Sequence, residues 1–312
     1  MKTLSRSLMI KLLLLLPGTL IIQSYPVSAR MPSKELKEEA WKFTNKDTLS
    51  IETMGKTKVF ITGSNSGEIE IKLRYIAKPD EKFEVKETQR AIYLKANILN
   101  YDPHKPTQTY FEESTLIITV PHGMYIRCNG SSGEFKVTGF IGVLKAVYGQ
   151  GRFSINNVEG SINLQLAMLE AKIQHSKGSF NLSSGIGSIR TKDLTVNGKS
   201  SFSTGMGIVK ISLAREPESE LYINSSFNKA QVRFNGHPVT GYFEFIAMAD
   251  GGRITSPFKF DKEETFLDDI KNYNTSADFG KKDDYYRKSF IRGDSIPKIT
   301  IKTVTGTAQL TR

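Results

Sequence analysis

A repeat is clearest in residues 130–190, GSSGEFKVTGFIGVLKAVYGQGRFSINNVEGSINLQLAMLEAKIQHSKGSFNLSSGIGSIR. Glycines recur in it at a fixed distance, because Gly142, Gly160 and Gly178 are 18 residues apart and Gly198 follows after 20. A second series lies about half a period away and consists of Gly133, Gly151, Gly187 and Gly207, with Leu169 in the vacant slot. A regular period of this length indicates one structural unit repeated along the chain.

Short segments between the glycines alternate apolar and polar residues, as in 152–155 (RFSI) and 161–164 (SINL). This alternation places one set of side chains on one face of a strand, and a glycine can adopt a positive φ at a corner. Two short strands per period predict an all-β fold, a right-handed β-solenoid-like stack of short strands with glycine corners. A β-sandwich or barrel is the alternative, because its hairpins also place a turn about every ten residues.

The chain divides into three parts on either side of this repeat. Residues 30–44 are a charged lead-in, in which 33–43 are expected to be a short helix or unstructured, and 45–312 are predicted to be one elongated β-strand-repeat domain. Residues 257–296 interrupt the alternation with mixed charges and aromatic residues, and we predict that they cap the open end of the stack. The excursion could instead be an interaction surface, formed by Phe266, Tyr273, Phe279, Tyr285 and Tyr286.

The first 29 residues predict export. Basic residues at the start are followed by an interrupted apolar run, and Val27-Ser28-Ala29 supplies the small residues of a cleavage site after Ala29. An N-terminal membrane anchor is the alternative, although the run is shorter than the roughly 20 residues that span a bilayer. We therefore expect a location in the periplasm, at the cell surface or outside the cell, with no membrane span after cleavage.

Charge and cysteine content limit the partners of the exported chain. Removal of three basic residues leaves 43 − 3 = 40 basic against 32 acidic residues, a net charge of +8, without the basic run that marks a nucleic-acid site. No nucleic-acid partner is therefore expected. Cys128 is the one cysteine, so we expect no internal disulfide and a buried thiol.

Catalytic and metal-binding motifs are not recognisable in the sequence. The four histidines do not pair at ligand spacing, and Gly63-Ser64-Asn65-Ser66-Gly67 has asparagine where a nucleophilic serine would stand. Glu134, Glu159 and Glu170 do not follow the 18-residue period, so the clustered carboxylates of a polysaccharide lyase or hydrolase are not expected in the repeat. The sequence thus predicts a protein that is not an enzyme and has no cofactor and no metal.

Three motifs carry a resemblance to a known family: Val120-Pro121-His122-Gly123, Gly130-Ser131-Ser132-Gly133 and the closing segment 299–310 (ITIKTVTGTAQL). With these, residues 45–312 resemble the bacterial β-strand-repeat family of unknown function known as the auto-transporter adhesin head (GIN) domain. The resemblance implies a solenoid-like stack of short strands and supplies no catalytic residues.

The functional hypothesis is a structural or adhesin-like interaction protein of the bacterial cell envelope, whose partner could be an envelope polysaccharide or another protein. The alternatives are a glycan- or lipid-binding module and a polysaccharide-processing β-helix enzyme. In addition to the excursion, a second candidate surface is a ladder of outward polar residues, Lys136, Ser154, Asn163, Asn181, Arg190 and Lys210.

Overall fold

The computed structural model describes residues 36–76, 83–96, 114–267, 284–293 and 297–312, which belong to one compact unit, Glu35–Arg312. Their regular structure consists of β-strands. In chain order these are β1 (Leu36–Thr44), β2 (Thr48–Ser64), β3 (Glu68–Ile76), β4 (Glu84–Glu87), β5 (Ala91–Ala96), β6 (Ser114–Pro121), β7 (Met124–Thr138), β8 (Ile141–Asn156), β9 (Glu159–Gln174), β10 (Lys177–Ile186), β11 (Ile189–Lys192), β12 (Thr195–Val196), β13 (Ser200–Met206), β14 (Val209–Ser212), β15 (Leu221–Ser225), β16 (Lys229–Arg233), β17 (Gly241–Met248), β18 (Arg253–Thr255), β19 (Lys262–Leu267), β20 (Asp284–Arg292), β21 (Lys298–Thr303) and β22 (Thr307–Thr311).

The strands of the repeat stack in parallel and in register, one coil upon the next. Gly142 of β8 pairs with Met124 of β7 and with Gly160 of β9, which is a shift of 18 residues in each direction (142 − 124 and 160 − 142). The shift becomes 20 between β10 and β13, where Leu182 pairs with Phe202. The solenoid-like prediction is therefore confirmed, whereas hairpins would have paired successive strands of the repeat antiparallel.

Each coil turns a corner halfway along its length. In β8 the buried residues are even-numbered up to Tyr148 and odd-numbered from Phe153 onward. The side chains that point inward therefore change from even to odd residue numbers across 149–151. The coil thus consists of two half-coils on opposite sides of one core, and the Tyr148 ring of the first half meets the Phe135 ring of the second at 5.7 Å. Buried side chains also stack along the coils, as Phe135 does on Phe153 with ring centroids 4.4 Å apart.

The glycine ladders are a requirement of this stacking. Gly160 has φ +133°, and a Cβ on it would lie 2.0 Å from the carbonyl oxygen of Gly142 in the preceding coil. Gly151 would meet the oxygen of Gly133 in the same way, at 1.8 Å. No side chain can occupy such a position without moving the neighbouring backbone, so the period of the glycines follows the period of the coils.

The stack extends beyond the glycine repeat at both ends, where coils are inserted out of chain order. At one end β2 lies between β7 and the pair β5 and β6, with all its contacts parallel. At the other end β21 and β22 lie between β15 and β16 on one side and β17 and β18 on the other. β2 therefore already forms a complete coil before the glycine ladders begin.

The segments outside the coils are antiparallel additions. β1 pairs along its whole length with β3, so residues 36–44 are a strand and not the short helix or unstructured lead-in that their charges predicted. Its alternation of half-buried Trp41 and Phe43 with exposed Lys42 gives β1 a face against the core. β20 covers the free edge of β17, and β19 in turn pairs with β20.

Candidate interaction surfaces

The aromatic residues of the excursion do not form one surface in the described structure. Tyr285 is 1% exposed and packs inside, so it is removed from the predicted surface, whereas the next residue, Tyr286, is 44% exposed. Phe266 lies on β19 opposite Tyr285. Tyr273 and Phe279 lie outside the described residues, as does the predicted signal peptide at 1–29. The position of β20 against β17 is the one that a cap would take, and the cap stays a prediction.

The outward ladder predicted from the sequence separates into two faces. Asn163 and Asn181 belong to first half-coils, whereas Lys136, Arg190 and Lys210 belong to second half-coils on the other side of the core. We call the first set of outward positions between residues 161 and 224 the neutral face, because its three charged members, Lys177, Lys199 and Glu220, are held in ion pairs and the others are uncharged. The uncharged members are Ser161, Asn163, Gln165, Ser179, Asn181, Ser183, Ser201, Ser203, Tyr222 and Asn224.

A depression of about 580 Å³ lies on the neutral face. Its floor includes one column of outward side chains on successive coils, in which Asn181 pairs with Ser201, Ser201 with Tyr222, and Tyr222 with Thr300. Tyr222 is 37% exposed while Leu221 beside it is buried, so the phenol ring stands outward from the sheet. The depression therefore combines amide and hydroxyl groups with one aromatic ring.

Ion pairs border this depression. The Lys199 ammonium lies 2.8 Å from a Glu220 carboxylate oxygen, and Lys298 lies 2.9 Å from Glu244 on the adjoining coil. The hydrogen bond between Lys199 and Glu220 raises the pKa of Lys199 and lowers the pKa of Glu220. Both groups are therefore charged at neutral pH and can hydrogen-bond to the hydroxyl groups of a ligand.

The outward positions of the second half-coils between residues 134 and 233 form the basic face. Eight basic side chains stand there against two acidic ones, Glu134 and Glu170, for a net charge of 8 − 2 = +6. The basic members are Lys136, Arg152, Lys172, Arg190, Lys192, Lys210, Lys229 and Arg233. A depression of about 660 Å³ at its border is lined by Lys56, Lys58 and Arg152 together with Glu134.

Few of these charges are neutralised within the fold. Arg190 is paired with Glu170 of the preceding coil, whereas Lys136, Lys172 and Lys210 form no ion pair with another described residue. Adjacent strands are roughly 4.8 Å apart, so successive coils hold their like charges close together. The ladder predicted from the sequence contained part of this face. To recognise the whole face, each outward residue must be assigned to one side of the core from its position within the 18-residue period.

Neither a metal site nor a membrane-spanning helix is found among the described residues. In that part of the chain, no group of three His, Cys, Asp or Glu side chains comes together to hold a metal ion. Among the same residues there is no helix of the length and hydropathy that crossing a membrane requires. Cys128 is buried, and this burial raises the pKa of its thiol.

Comparison with known proteins identifies one family. The model of the Toastrack DUF4097 family matches residues 46–235, which are 190 of the 312 residues and include the coils from β2 to β16. A β-strand-repeat family of unknown function is thereby confirmed at a coarser level than the adhesin-head (GIN) resemblance. No curated protein matches the sequence.

Two solved structures are similar to the chain over most of its length. One is a candidate cell adhesion protein from Clostridium sporogenes ATCC 15579, at 11% identity and a TM-score of 0.28, with 89% of this chain and 99% of that chain covered. The other is a candidate adhesin from Bacteroides fragilis NCTC 9343, at 13% identity and a TM-score of 0.34, with 90% and 98% covered. At these TM-scores neither likeness bears on function.

Proposed function

This chain belongs to the Toastrack DUF4097 family, and we propose that it is an exported, non-enzymatic, adhesin-like protein of the bacterial envelope that binds a glycan on its neutral face. The observation that carries the proposal is the depression of about 580 Å³ around Tyr222. Its size falls within the range of roughly 300–1,000 Å³ usual for ligand sites. Kinship with the adhesin-head (GIN) domains is part of the same proposal.

The chemistry of the depression suits a sugar with uncharged hydroxyl groups. The Tyr222 ring offers a rigid apolar surface for the C–H face of a sugar ring, and its hydroxyl adds a polar group at the edge. Asn181 and Ser201 supply donors and acceptors in one column, and the Thr300 hydroxyl, which donates to Glu244, adds an acceptor. Repetition of such residues from coil to coil supports recognition of a polymer with a repeating unit.

The non-enzymatic part of the proposal rests on the same geometry. The column at the floor of the depression contains no acid and no histidine, and Glu220, the one carboxylate among the described residues that line the depression, is held by Lys199. Retaining or inverting hydrolysis needs two carboxyl groups that flank the scissile bond, one of them protonated. The hydrogen bond from Lys199 lowers the pKa of Glu220 and keeps this carboxylate ionised, which favours binding over hydrolysis.

Binding of neutral envelope polysaccharides to purified residues 30–312, measured by isothermal titration calorimetry, tests the site. Truncation of an aromatic anchor commonly costs about 2 kcal/mol, so Tyr222→Ala should weaken binding roughly thirtyfold. Tyr93→Ala is the matched control, because Tyr93 is exposed to a similar extent, 44%, and lies on β5 outside the depression.

Two results would reject the proposal. Equal affinity of Tyr222→Ala and Tyr93→Ala for the polysaccharide would show that the depression is not the binding site. New reducing or unsaturated ends, appearing when the same polysaccharide is incubated with the protein, would show that the protein is an enzyme. Far-ultraviolet circular dichroism of each variant checks that the strands are retained.

A further inference from the structure

An exposed apolar row runs along the corner between the two faces. Met168, Ile186 and Met206 pair with one another in register on three successive coils, and the backbone amide of Phe227 donates to the Gly205 carbonyl on the next coil. These four side chains are between 45% and 60% exposed. We call them the apolar ridge.

Small residues beside the ridge leave it uncovered. The preceding residues are Ala167, Gly185 and Gly205, and a Cβ on Gly205 would lie 2.7 Å from the Gly185 carbonyl oxygen. Stacking of the coils therefore excludes a bulky neighbour on that side. A contiguous row of large apolar side chains in water is unfavourable and typically marks a contact surface.

A row of basic side chains lies at a constant sequence separation from the ridge residues. Four residues after Met168, Ile186 and Met206 come Lys172, Arg190 and Lys210, which likewise pair in register. Apolar and basic side chains thus form two parallel rows along the same coils. We call the two rows together the amphipathic strip.

We infer that the amphipathic strip docks the protein on the surface of an anionic lipid bilayer. Apolar side chains that enter the boundary of headgroups and acyl chains, beside lysine and arginine that meet anionic headgroups, are the two components of interfacial binding. An exposed row of side chains needs no complementary pocket when the partner is a fluid surface. The inference stands apart from the proposed glycan site, which lies across the core on the neutral face.

Charge argues against a second copy of the chain as the occupant. In a two-fold contact the same patch faces itself, so the basic ladder of one copy would adjoin that of the other. With Lys172 and Lys210 forming no ion pair among the described residues, the ladders would repel each other. Lipid phosphates carry negative charge and would therefore attract the basic ladder.

Binding of purified residues 30–312 to vesicles tests the inference, since this segment includes the whole compact unit and lacks the apolar N-terminal run. We expect sedimentation with vesicles of phosphatidylcholine and phosphatidylglycerol, and much weaker sedimentation with phosphatidylcholine alone. Each lysine replaced in Lys172→Gln/Lys210→Gln should lower the partition coefficient roughly fivefold. Lys145→Gln, on the opposite side of the core, should leave it unchanged.

The ridge is tested separately by Ile186→Ser/Met206→Ser, with Val147→Ser as its control because Val147 is exposed and lies outside the ridge. The ridge variant should lose vesicle binding while its glycan affinity stays unchanged. Equal sedimentation with both kinds of vesicle, or equal losses in ridge and control variants, would overturn the inference. So would wild-type self-association, seen by light scattering and abolished in the ridge variant.

Discussion

Replacement of Gly160 by alanine tests the stacking geometry most directly, because the chain contains glycines that separate its two components. At Gly160 a Cβ would meet both an unfavourable φ of +133° and the Gly142 oxygen at 2.0 Å. Gly139 has a positive φ of +63° but open space around its Cβ position, and Gly67 has open space without a positive φ. The three alanine variants therefore form a graded series.

The expected loss of unfolding free energy follows from these contacts. Gly67→Ala should cost nothing, because alanine restricts the unfolded chain and meets no obstacle. Gly139→Ala should cost about 1 kcal/mol, since a left-handed conformation is unfavourable for an L-residue by roughly 1–2 kcal/mol and the unfolded-state gain offsets part of it. Gly160→Ala adds displacement of a packed backbone, which costs about 1–3 kcal/mol, to strain of about 1–3 kcal/mol, so we expect about 4 kcal/mol.

Urea unfolding followed by circular dichroism and by fluorescence of the single tryptophan, Trp41, measures these losses. Trp41 packs against one end of the core, so agreement of the two signals shows whether the coils unfold together, as a free energy from linear extrapolation requires. If Gly160→Ala were no less stable than Gly139→Ala, the close approach of successive coils would not be what requires glycine, and the explanation of the 18-residue period would be wrong.

Three further predictions concern the core and the N-terminus. Because burial raises the pKa of the Cys128 thiol, it should not react with a thiol reagent in the native protein and should react once the protein is unfolded in urea. Mass spectrometry of the protein isolated from the cells that express it should find its first residue at Arg30, and an N-terminus that retains 1–29 would reject cleavage after Ala29. Phe153→Ala should lower the unfolding free energy by about 3–5 kcal/mol, whereas Phe227→Ala, at an exposed position, should change it by about 0.5 kcal/mol or less in urea unfolding.

The repeat could be predicted from the sequence because its cause is local and periodic. Gly142, Gly160 and Gly178 occupy the same place on successive coils, and each is required by the carbonyl oxygen of the coil before it. The chain therefore carries the register of the stack in the spacing of one residue type. No information about distant parts of the sequence was needed.

The ends of the stack could not be predicted in this way. β2 pairs with β7, and β15 pairs with β21, with other strands between them in the chain. Thr48 lies opposite Tyr125 and Leu221 opposite Ile299, which are 77 and 78 residues away (125 − 48 and 299 − 221). Alternation of apolar and polar residues shows that a segment is a strand, but it does not identify the partner when no glycine ladder marks the register. The charges of residues 36–44 were also misleading, because Glu38 and Lys42 stand on the side away from the core, whereas Glu39 on the inner side accepts a hydrogen bond from the Tyr75 hydroxyl.

The two faces were only partly visible in the sequence for a related reason. Asn163 and Lys172 both stand outward, yet they are nine residues apart, half of one period, and so lie on opposite sides of the core. A ladder collected from outward residues alone mixes the two sides. Assignment needs the parity change at the corner, which the sequence marks with the second glycine series.

Separation of the two faces allows both proposed contacts to form at once. Outward side chains on one half-coil can change without altering the buried residues of the other half, because the core lies between them. The neutral face carries hydroxyl and amide groups around Tyr222, while the second half-coils carry lysine and arginine and the corner carries the apolar ridge. A chain docked on lipid through its amphipathic strip would therefore keep the Tyr222 depression open to a glycan, which is the arrangement that an adhesin-like role at the envelope requires.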